Sequence, residues 1–248
     1  MPARILVLGG TAEARELAGA LDADGVPVVS SLAGRVSRPR LPAGEVRIGG
    51  FGGPDGLARW LAEHGVAAVV DATHPFAERI SASAASACAD AGVELLRLER
   101  PGWSERPGDR WHWVGGLDEA AALVPGLGTR VLLTTGRQGL AAFAGVEAAW
   151  FLVRCVDPPD PPLPPDCEVL LDRGPYELDG ELALIDRHGI DLVVTKDSGG
   201  AHTSAKLDAA RERELPVVVV RRPPRRAVPT VASVTDALAW VARAAQPG

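Results

Sequence analysis

The sequence predicts an α/β protein of two similar halves, each a mostly parallel sheet flanked by helices, with a ligand cleft between the halves. Three observations lead there. Short β-branched runs alternate with Ala/Leu-rich stretches of helical period, as in RILVL, TAEARELAGALDA and VPVVSS, and strand, helix, strand is the βαβ unit of a parallel sheet. The strands carry little polar alternation, as expected where helices cover both faces. The pattern then restarts near Arg130. The joint is placed at Pro125 to Gly128, where PGLG breaks the preceding helix, giving halves of residues 1–125 and 126–248.

Taken in order, the first half reads as strands RILVL, VPVVSS and AAVVDA, with helices TAEARELAGALDA, GLARWLAEHG and FAERISASAASACADAG. The second reads as RVLLTTG, a helical GLAAFAG, AWFLVR, EVLL, a helix at ELALIDRHG, DLVVTKD, a helix at SAKLDAARERE, and LPVVVV. The tract from Asp157 to Asp166, DPPDPPLPPD, is an extended connection, because proline lacks the backbone donor that helices and central strands need. The basic run RRPPRR, Arg221 to Arg226, reads as a surface loop.

Composition narrows the function classes. Of 248 residues, 46% are apolar and 23% charged, too apolar for a solvated disordered chain. The formal net charge of −6 argues against broad nucleic-acid binding, which needs a concentrated Lys/Arg face. Cys88, Cys155 and Cys167 lie far apart, with no C-x-x-C and no histidine at ligand spacing, so neither a metal site nor a disulfide framework is expected. A reducing cytoplasm follows as the expected compartment. No apolar stretch approaches the roughly 18 residues of a spanning helix, and a strand begins almost at Met1, so neither a membrane span nor a signal peptide is expected.

In an open parallel sheet the ligand crevice lies outside the carboxyl ends of the strands, so the residues that follow each apolar run are the informative ones. In LVLGGTAEARELA, Gly9 and Gly10 end a strand and Thr11 starts a helix. Helix-end amides attract phosphate, a Cβ here would block a diphosphate, and the Thr11 hydroxyl can either cap the helix or bind a phosphate oxygen. The same residues also suit a plain tight turn. At VVSSLAGR the NAD-binding fold places a carboxylate for the ribose 2′-hydroxyl, whereas this chain offers Ser30, Ser31 and Arg35. Hydroxyls and a guanidinium favour a 2′-phosphate, hence NADP, unless the segment is simply an exposed loop. In VRIGGFGGPDG, four glycines surround Phe51 and allow close passage of backbone past a flat ligand, or merely a flexible turn. AAVVDATHPFAERIS closes a buried strand with Asp71, then Thr73 and His74 before a proline suited to the first helical position. Asp71 can brace the loop, Thr73 can cap the helix, and His74 can act as an acid or contact a ligand.

The second half offers Thr134, Thr135 and Gly136 at one turn, Arg154 at a strand end, and Arg173, Gly174 and the chain's one tyrosine, Tyr176, in LLDRGPYEL. TKDSGG is densest: Thr195, Lys196, Asp197, Ser198, Gly199 and Gly200, with Lys206 following. Lys196 and Lys206 are the only lysines in the chain, where arginine otherwise supplies the positive charge. Their clustering suggests that a compact ammonium is wanted there. Neither a G-x-S-x-G elbow nor an H-E-x-x-H site is present.

Taken together, GGTAEARELA, SLAGR, GGFGG, DATHPFAERIS, LLTTG, RGP and TKDSGG resemble, in order and over nearly the whole chain, the precorrin-6A reductase family of cobalamin biosynthesis. DATHPFA and TKDSGG carry most of the specificity; Tyr176 stands where another aromatic, commonly Phe, is expected, and the Pro-rich insert matches no family motif. The resemblance implies two Rossmann-like domains and hydride transfer from NADPH to carbon 19 of precorrin-6A, giving precorrin-6B. It implies a cofactor site at Gly9, Gly10, Thr11, Ser30, Ser31, Arg35, Thr135 and Gly136. The implied substrate is a polycarboxylate tetrapyrrole, with or without cobalt, expected to be contacted by Asp71, Thr73, Arg154, Arg173, Lys196, Ser198, Gly199 and Lys206, the four cations reaching its carboxylates or the cofactor phosphates. His74 and Asp197 are the candidate proton donors beside bound water, and the chain is expected as a monomer or weak homodimer. Competing expectations are an NADP-dependent reductase or epimerase of another small metabolite, and a noncatalytic dinucleotide-sensing module.

Overall fold

A computed structural model describes residues 4–34 and 41–244 of the chain. Strands β1 (Arg4–Leu8), β2 (Val28–Leu32), β3 (Glu45–Ile48), β4 (Val66–Asp71) and β5 (Glu94–Leu98) alternate with helices α1 (Ala12–Ala23), α2 (Pro54–Glu63) and α3 (Glu78–Ala91). Then come β6 (Arg110–Val114), α4 (Leu117–Leu127), β7 (Arg130–Thr134), a 3₁₀ helix (Arg137–Phe143), β8 (Trp150–Cys155) and β9 (Cys167–Leu171). The chain continues through α5 (Leu178–His188), β10 (Leu192–Lys196), α6 (Ala205–Glu212), β11 (Pro216–Val220), β12 (Thr230–Val231) and α7 (Val234–Ala244). The Pro-rich tract 157–166 carries neither helix nor strand.

Two six-stranded sheets result, ordered β12-β5-β4-β1-β2-β3 and β6-β11-β10-β7-β8-β9. Every pairing in both is parallel. Each order reverses its direction of winding once, between β1 and β4 in the first sheet and between β7 and β10 in the second, and such a switch point is where doubly wound sheets bind ligands.

The chain divides into two compact units, Met1–Pro101 with Pro223–Gly248, and Gly102–Arg222. This corrects the division expected at residue 125. The strand RWHWV, β6, follows β5 in sequence but pairs with β11, with Trp111 opposite Val217. Conversely β12 follows β11 but pairs with β5, Thr230 opposite Arg97. Each penultimate strand has an edge of unsatisfied N–H and C=O groups, and each edge is covered by a strand from the other end of its neighbour's run. Such pairing between distant segments leaves no trace in local periodicity. The helix expected to break at Pro125 runs on to Leu127 and stops at Gly128, so the proline lies in its last turn. GLAAFAG forms a 3₁₀ rather than an α-helix.

Both faces of each sheet are buried, as the unbroken apolar strands imply. In β1, Ile5 and Val7 face α1 and α7 together with Leu17, Val70 and Val241, while Leu6 and Leu8 face α2 and α3 with Leu57, Leu61 and Cys88. This is the period-two alternation of a strand, with both sides apolar. In the second sheet Leu132, Leu152, Val193 and Val219 pack against Ile185 and Leu207 from α5 and α6. Among the described residues no helix is long and apolar enough to cross a membrane, and no cluster of three His, Cys, Asp or Glu side chains could hold a metal ion.

Helix α7, which comes from the far end of the chain, completes the α1 face of the first sheet, where Val241 is 1% exposed. Val241→Ala should therefore lower stability by about 1–3 kcal/mol, read as a lower urea midpoint at unchanged slope.

Candidate functional site

The first crevice lies at the carboxyl ends of β1, β2 and β4. A Cβ on Gly9 would approach the Leu32 side chain tightly, at 3.3 Å; Gly10 has φ +123° and open space where its Cβ would point. The turn leads into α1, whose cap is Thr11: its Oγ1 accepts the Ala14 N–H at 3.1 Å and donates to the Ala72 carbonyl at 2.8 Å. That hydroxyl therefore caps the helix and ties the β1 turn to the β4 turn. Glu13, in the first turn of α1, is met by Arg100 at 2.7 Å, which offsets a charge that would otherwise oppose an anion at the helix terminus.

Ser30 and Ser31 are both buried in β2. The Ser30 Oγ has no hydrogen-bond partner among the described residues. Ser31 faces Arg47 of β3, whose Nη1 lies 3.4 Å from the serine Oγ. Arg35 lies outside the described residues. Among the described residues no carboxylate stands at the end of β2, so the segment lacks the group that would hold a ribose 2′-hydroxyl.

At the end of β4, Asp71 is 1% exposed. Its Oδ1 accepts the Thr73 hydroxyl at 2.6 Å and the Thr73 N–H at 3.2 Å, and its Oδ2 lies 3.7 Å from Arg97 Nε of β5. Asp71 and Thr73 thus brace the turn internally, and Thr73, whose hydroxyl also lies 3.3 Å from Ser81 Oγ, does not cap α3. That helix begins at Glu78, later than Pro75 suggested. His74 is half-buried; its Nδ1 accepts the Phe76 N–H at 3.3 Å, and its carbonyl accepts Arg225 Nη2 at 2.7 Å. With Nδ1 an acceptor, the neutral ring carries its proton on Nε2. Arg225 also pairs with Glu99 at 3.0 Å.

The second crevice lies at the ends of β7, β8 and β10. Thr135 is buried with an unpartnered Oγ1, and Gly136, at φ +75°, leads into the 3₁₀ helix. Ser198 and Gly199 form the turn after β10, the Ser198 N–H donating to the Lys196 carbonyl at 2.7 Å and Gly199 adopting φ +64°. Lys196 is half-buried at the strand end, and burial lowers its pKa. Arg173 is half-buried in the turn between β9 and α5.

Three residues expected to act on ligands are engaged inside the protein. Arg154 is buried and forks onto Glu181 of α5, at 2.5 and 3.1 Å, with its guanidinium 3.9 Å over the Tyr176 ring. Lys206 is 4% exposed; its Nζ donates to the Thr203 carbonyl and lies 4.7 Å from the Trp103 ring. Burial, reinforced by Arg154 and opposed by Glu181, pushes Lys206 down to about 7. Asp197 accepts the Trp103 N–H at 2.9 Å on Oδ1 and holds Arg222 Nε at 3.2 Å on Oδ2, while a Cβ on Gly102 would come within 2.5 Å of Oδ2. With both oxygens occupied, Asp197 anchors the segment entering the second unit and is not placed to donate a proton. A cavity of about 280 Å³ beside α6 is walled by Trp103 and Trp111, but its Arg106 and Arg211 are already paired with Asp208.

Sequence reasoning missed Arg47, Arg97, Glu181 and Arg225. Arg97 had a signal, a guanidinium within the apolar run ELLRL; Arg225 lies in the run read as a surface loop, whose Arg222 and Arg225 are in fact half-buried braces.

A doubly wound parallel sheet with a glycine turn at its switch point is the architecture of dinucleotide-binding α/β proteins, and this chain carries that architecture in both units. Within that class the chain belongs to the CbiJ/CobK family of precorrin-6x reductases, whose pattern it matches over residues 4–242. It is 57% identical to the precorrin-6A reductase of Rhodococcus erythropolis, covering 96% of this chain and 97% of that one. It is 50% identical to the precorrin-6A reductase of Mycobacterium tuberculosis H37Rv, again over 96% and 97%, and 31% identical to the cobalt-precorrin-6A reductase of Salmonella typhimurium, over 88% and 87%. A solved CobK precorrin-6A reductase, 43% identical, superposes with a TM-score of 0.93 over 98% of this chain and 97% of that one.

Two stability effects follow from the buried charges. Glu181→Ala strands the Arg154 guanidinium and should cost about 3–5 kcal/mol, whereas the pair Arg154→Met with Glu181→Leu should recover most of that, both read by denaturant melts. Lys206 carries a lowered pKa in the fold, so the unfolded chain holds the extra proton between about pH 7 and the ordinary 10.5. Its burial therefore costs most below pH 7, and the cost fades as pH rises toward 10.5. Lys206→Met should raise Tm by more than about 2–4 °C at pH 6, with the gain shrinking at pH 10.

Proposed function

We propose that this protein reduces precorrin-6A to precorrin-6B with NADPH, delivering hydride to carbon 19 of the macrocycle. The observation that carries the cofactor assignment is the first crevice: an open Gly10 turn on the N-terminus of α1, followed at the end of β2 by Ser30 and Ser31 with no carboxylate. Backbone amides of the Gly9–Thr11 turn and α1 hold the diphosphate, and the end of β2 receives a 2′-phosphorylated ribose. Bound there, the nicotinamide supplies the hydride.

The residues of the chain do the rest by positioning and by proton supply. Lys196 and Arg173, at strand-end turns of the second unit, are the cations for the acetate and propionate arms, with Ser198, Gly199, Thr135 and Gly136 shaping the turns beside them. Arg154 and Lys206 fix that surface from behind. His74 is the proton donor in this reading, because its Nδ1 already accepts a backbone N–H and its Nε2 carries the mobile proton. Sequence favours the cobalt-free substrate: the precorrin-6A reductases share 44–57% of their aligned residues with this chain, against 27–31% for the cobalt-precorrin-6A reductases.

The test is an anaerobic assay with precorrin-6A and its cobalt form, following consumption of NADPH and of NADH. Turnover should require precorrin-6A, prefer NADPH, and fall at least about 100-fold in His74→Gln, the lower end of the range for loss of a general acid. Absence of NADPH oxidation with either tetrapyrrole would refute the assignment, and full turnover in His74→Gln would move the proton to solvent.

A further inference from the structure

We propose that Arg47 of β3 is the residue by which this protein selects a 2′-phosphorylated dinucleotide; this deepens the dinucleotide reading of the first crevice and rests on it. Three observations converge on that side chain.

The first is position. Arg47 pairs in register with Ser31, and its Nη1 lies 3.4 Å from the Ser31 Oγ. The end of β2 is where a doubly wound sheet meets the adenosine ribose, so a guanidinium there reads that ribose or what is attached to it.

The second is preorganisation. Nη1 donates to the Gly49 carbonyl and Nη2 to the Gly50 carbonyl, each at 2.6 Å, and the guanidinium carbon sits 3.7 Å from the centroid of the Phe51 ring. Gly49, at φ +117°, lets the chain fold back so that both carbonyls reach the guanidinium, and its N–H is tied to the Leu32 carbonyl at the end of β2. A side chain held this way gives up little further freedom on meeting a ligand.

The third is unspent charge. Among the described residues no carboxylate pairs with Arg47, unlike Arg97, Arg100 and Arg225 of the same unit. Among the described residues its hydrogen bonds use three of the five guanidinium donors, leaving Nε–H and one Nη2–H. An unpaired, partly desolvated guanidinium with two spare donors matches a phosphate dianion and gains little from a neutral hydroxyl.

The experiment compares wild type, Arg47→Gln and Arg47→Lys. Binding of NADPH, NADH and the fragments 2′,5′-ADP and 5′-AMP is measured by calorimetry, and KM and kcat with each cofactor by the reductase assay. Arg47→Gln should weaken NADPH and 2′,5′-ADP by about 10- to 100-fold, the range for one charge-assisted contact. NADH, 5′-AMP and kcat at saturating NADPH should stay within about twofold. Arg47→Lys keeps the charge but not the double carbonyl clamp, and should retain most of the phosphate preference. If Arg47 only holds the Gly49–Gly50 turn, both variants will weaken all four molecules alike, and the inference falls. It falls too if Arg47→Gln keeps the wild-type preference, while the dinucleotide reading stands. A wild type that binds neither NADPH nor 2′,5′-ADP sinks that underlying reading itself.

Discussion

Parallel pairing is the constraint on which the rest of this structure depends. A strand hydrogen-bonded on both edges and covered by helices on both faces has no room for polar side chains along its length, so they collect where it ends. The candidate site residues among those described lie at or just beyond the carboxyl end of a strand, except Lys206, which reaches inward from α6. The same constraint explains the exchange of outer strands. The open edges of β5 and β11 each need a partner, and β12 and β6 meet that need from distant parts of the chain.

Charge placement follows from those crowded ends. An acidic chain holding an acid-rich substrate needs cations at its turns, yet several of its own carboxylates sit there too. Asp71, Glu99, Glu181 and Asp197 each take an arginine: Arg97, Arg225, Arg154 and Arg222 respectively. Arginine suits that work because its planar fork satisfies a buried carboxylate with two donors at once. These pairs are internal ties, whereas among the described residues Arg47 has no carboxylate within ion-pair distance. In the proposed reading it is left for a ligand. Lys206 is not, although among the described residues it has no direct carboxylate partner, since it is enclosed against Trp103 and the Thr203 carbonyl.

In the proposed reading the first unit binds the dinucleotide and the second the tetrapyrrole, and the two ligands ask different things of these units. The first offers an open glycine turn, a capped helix whose first-turn glutamate is offset by Arg100, and serines where a carboxylate would exclude a 2′-phosphate. The second offers Lys196 and Arg173 at turns built from glycine and serine, backed by a rigid Arg154–Glu181–Tyr176 stack. Their shared strand order does not make them equivalent, because the side chains at each switch point differ.

Local pattern alone determined the fold class, the two parallel sheets, the glycine turn at residues 9–10 and the serines closing β2, because periods of 2 and 3.6 and the needs of a tight turn are written in neighbouring residues. The motifs GGTAEARELA, DATHPFA and TKDSGG likewise carried the family resemblance. Tertiary structure decided which sheet receives β6 and β12, and which charged residues are tied inward. Asp197 reads in sequence as a strand-end acid and becomes an anchor only when Trp103 and Arg222 arrive from 94 and 25 residues away. Arg47 reads as one arginine among many until the β2–β3 register sets it against Ser31. Such pairings join residues distant along the chain, and no spacing rule within a segment can specify a partner that folding alone brings near.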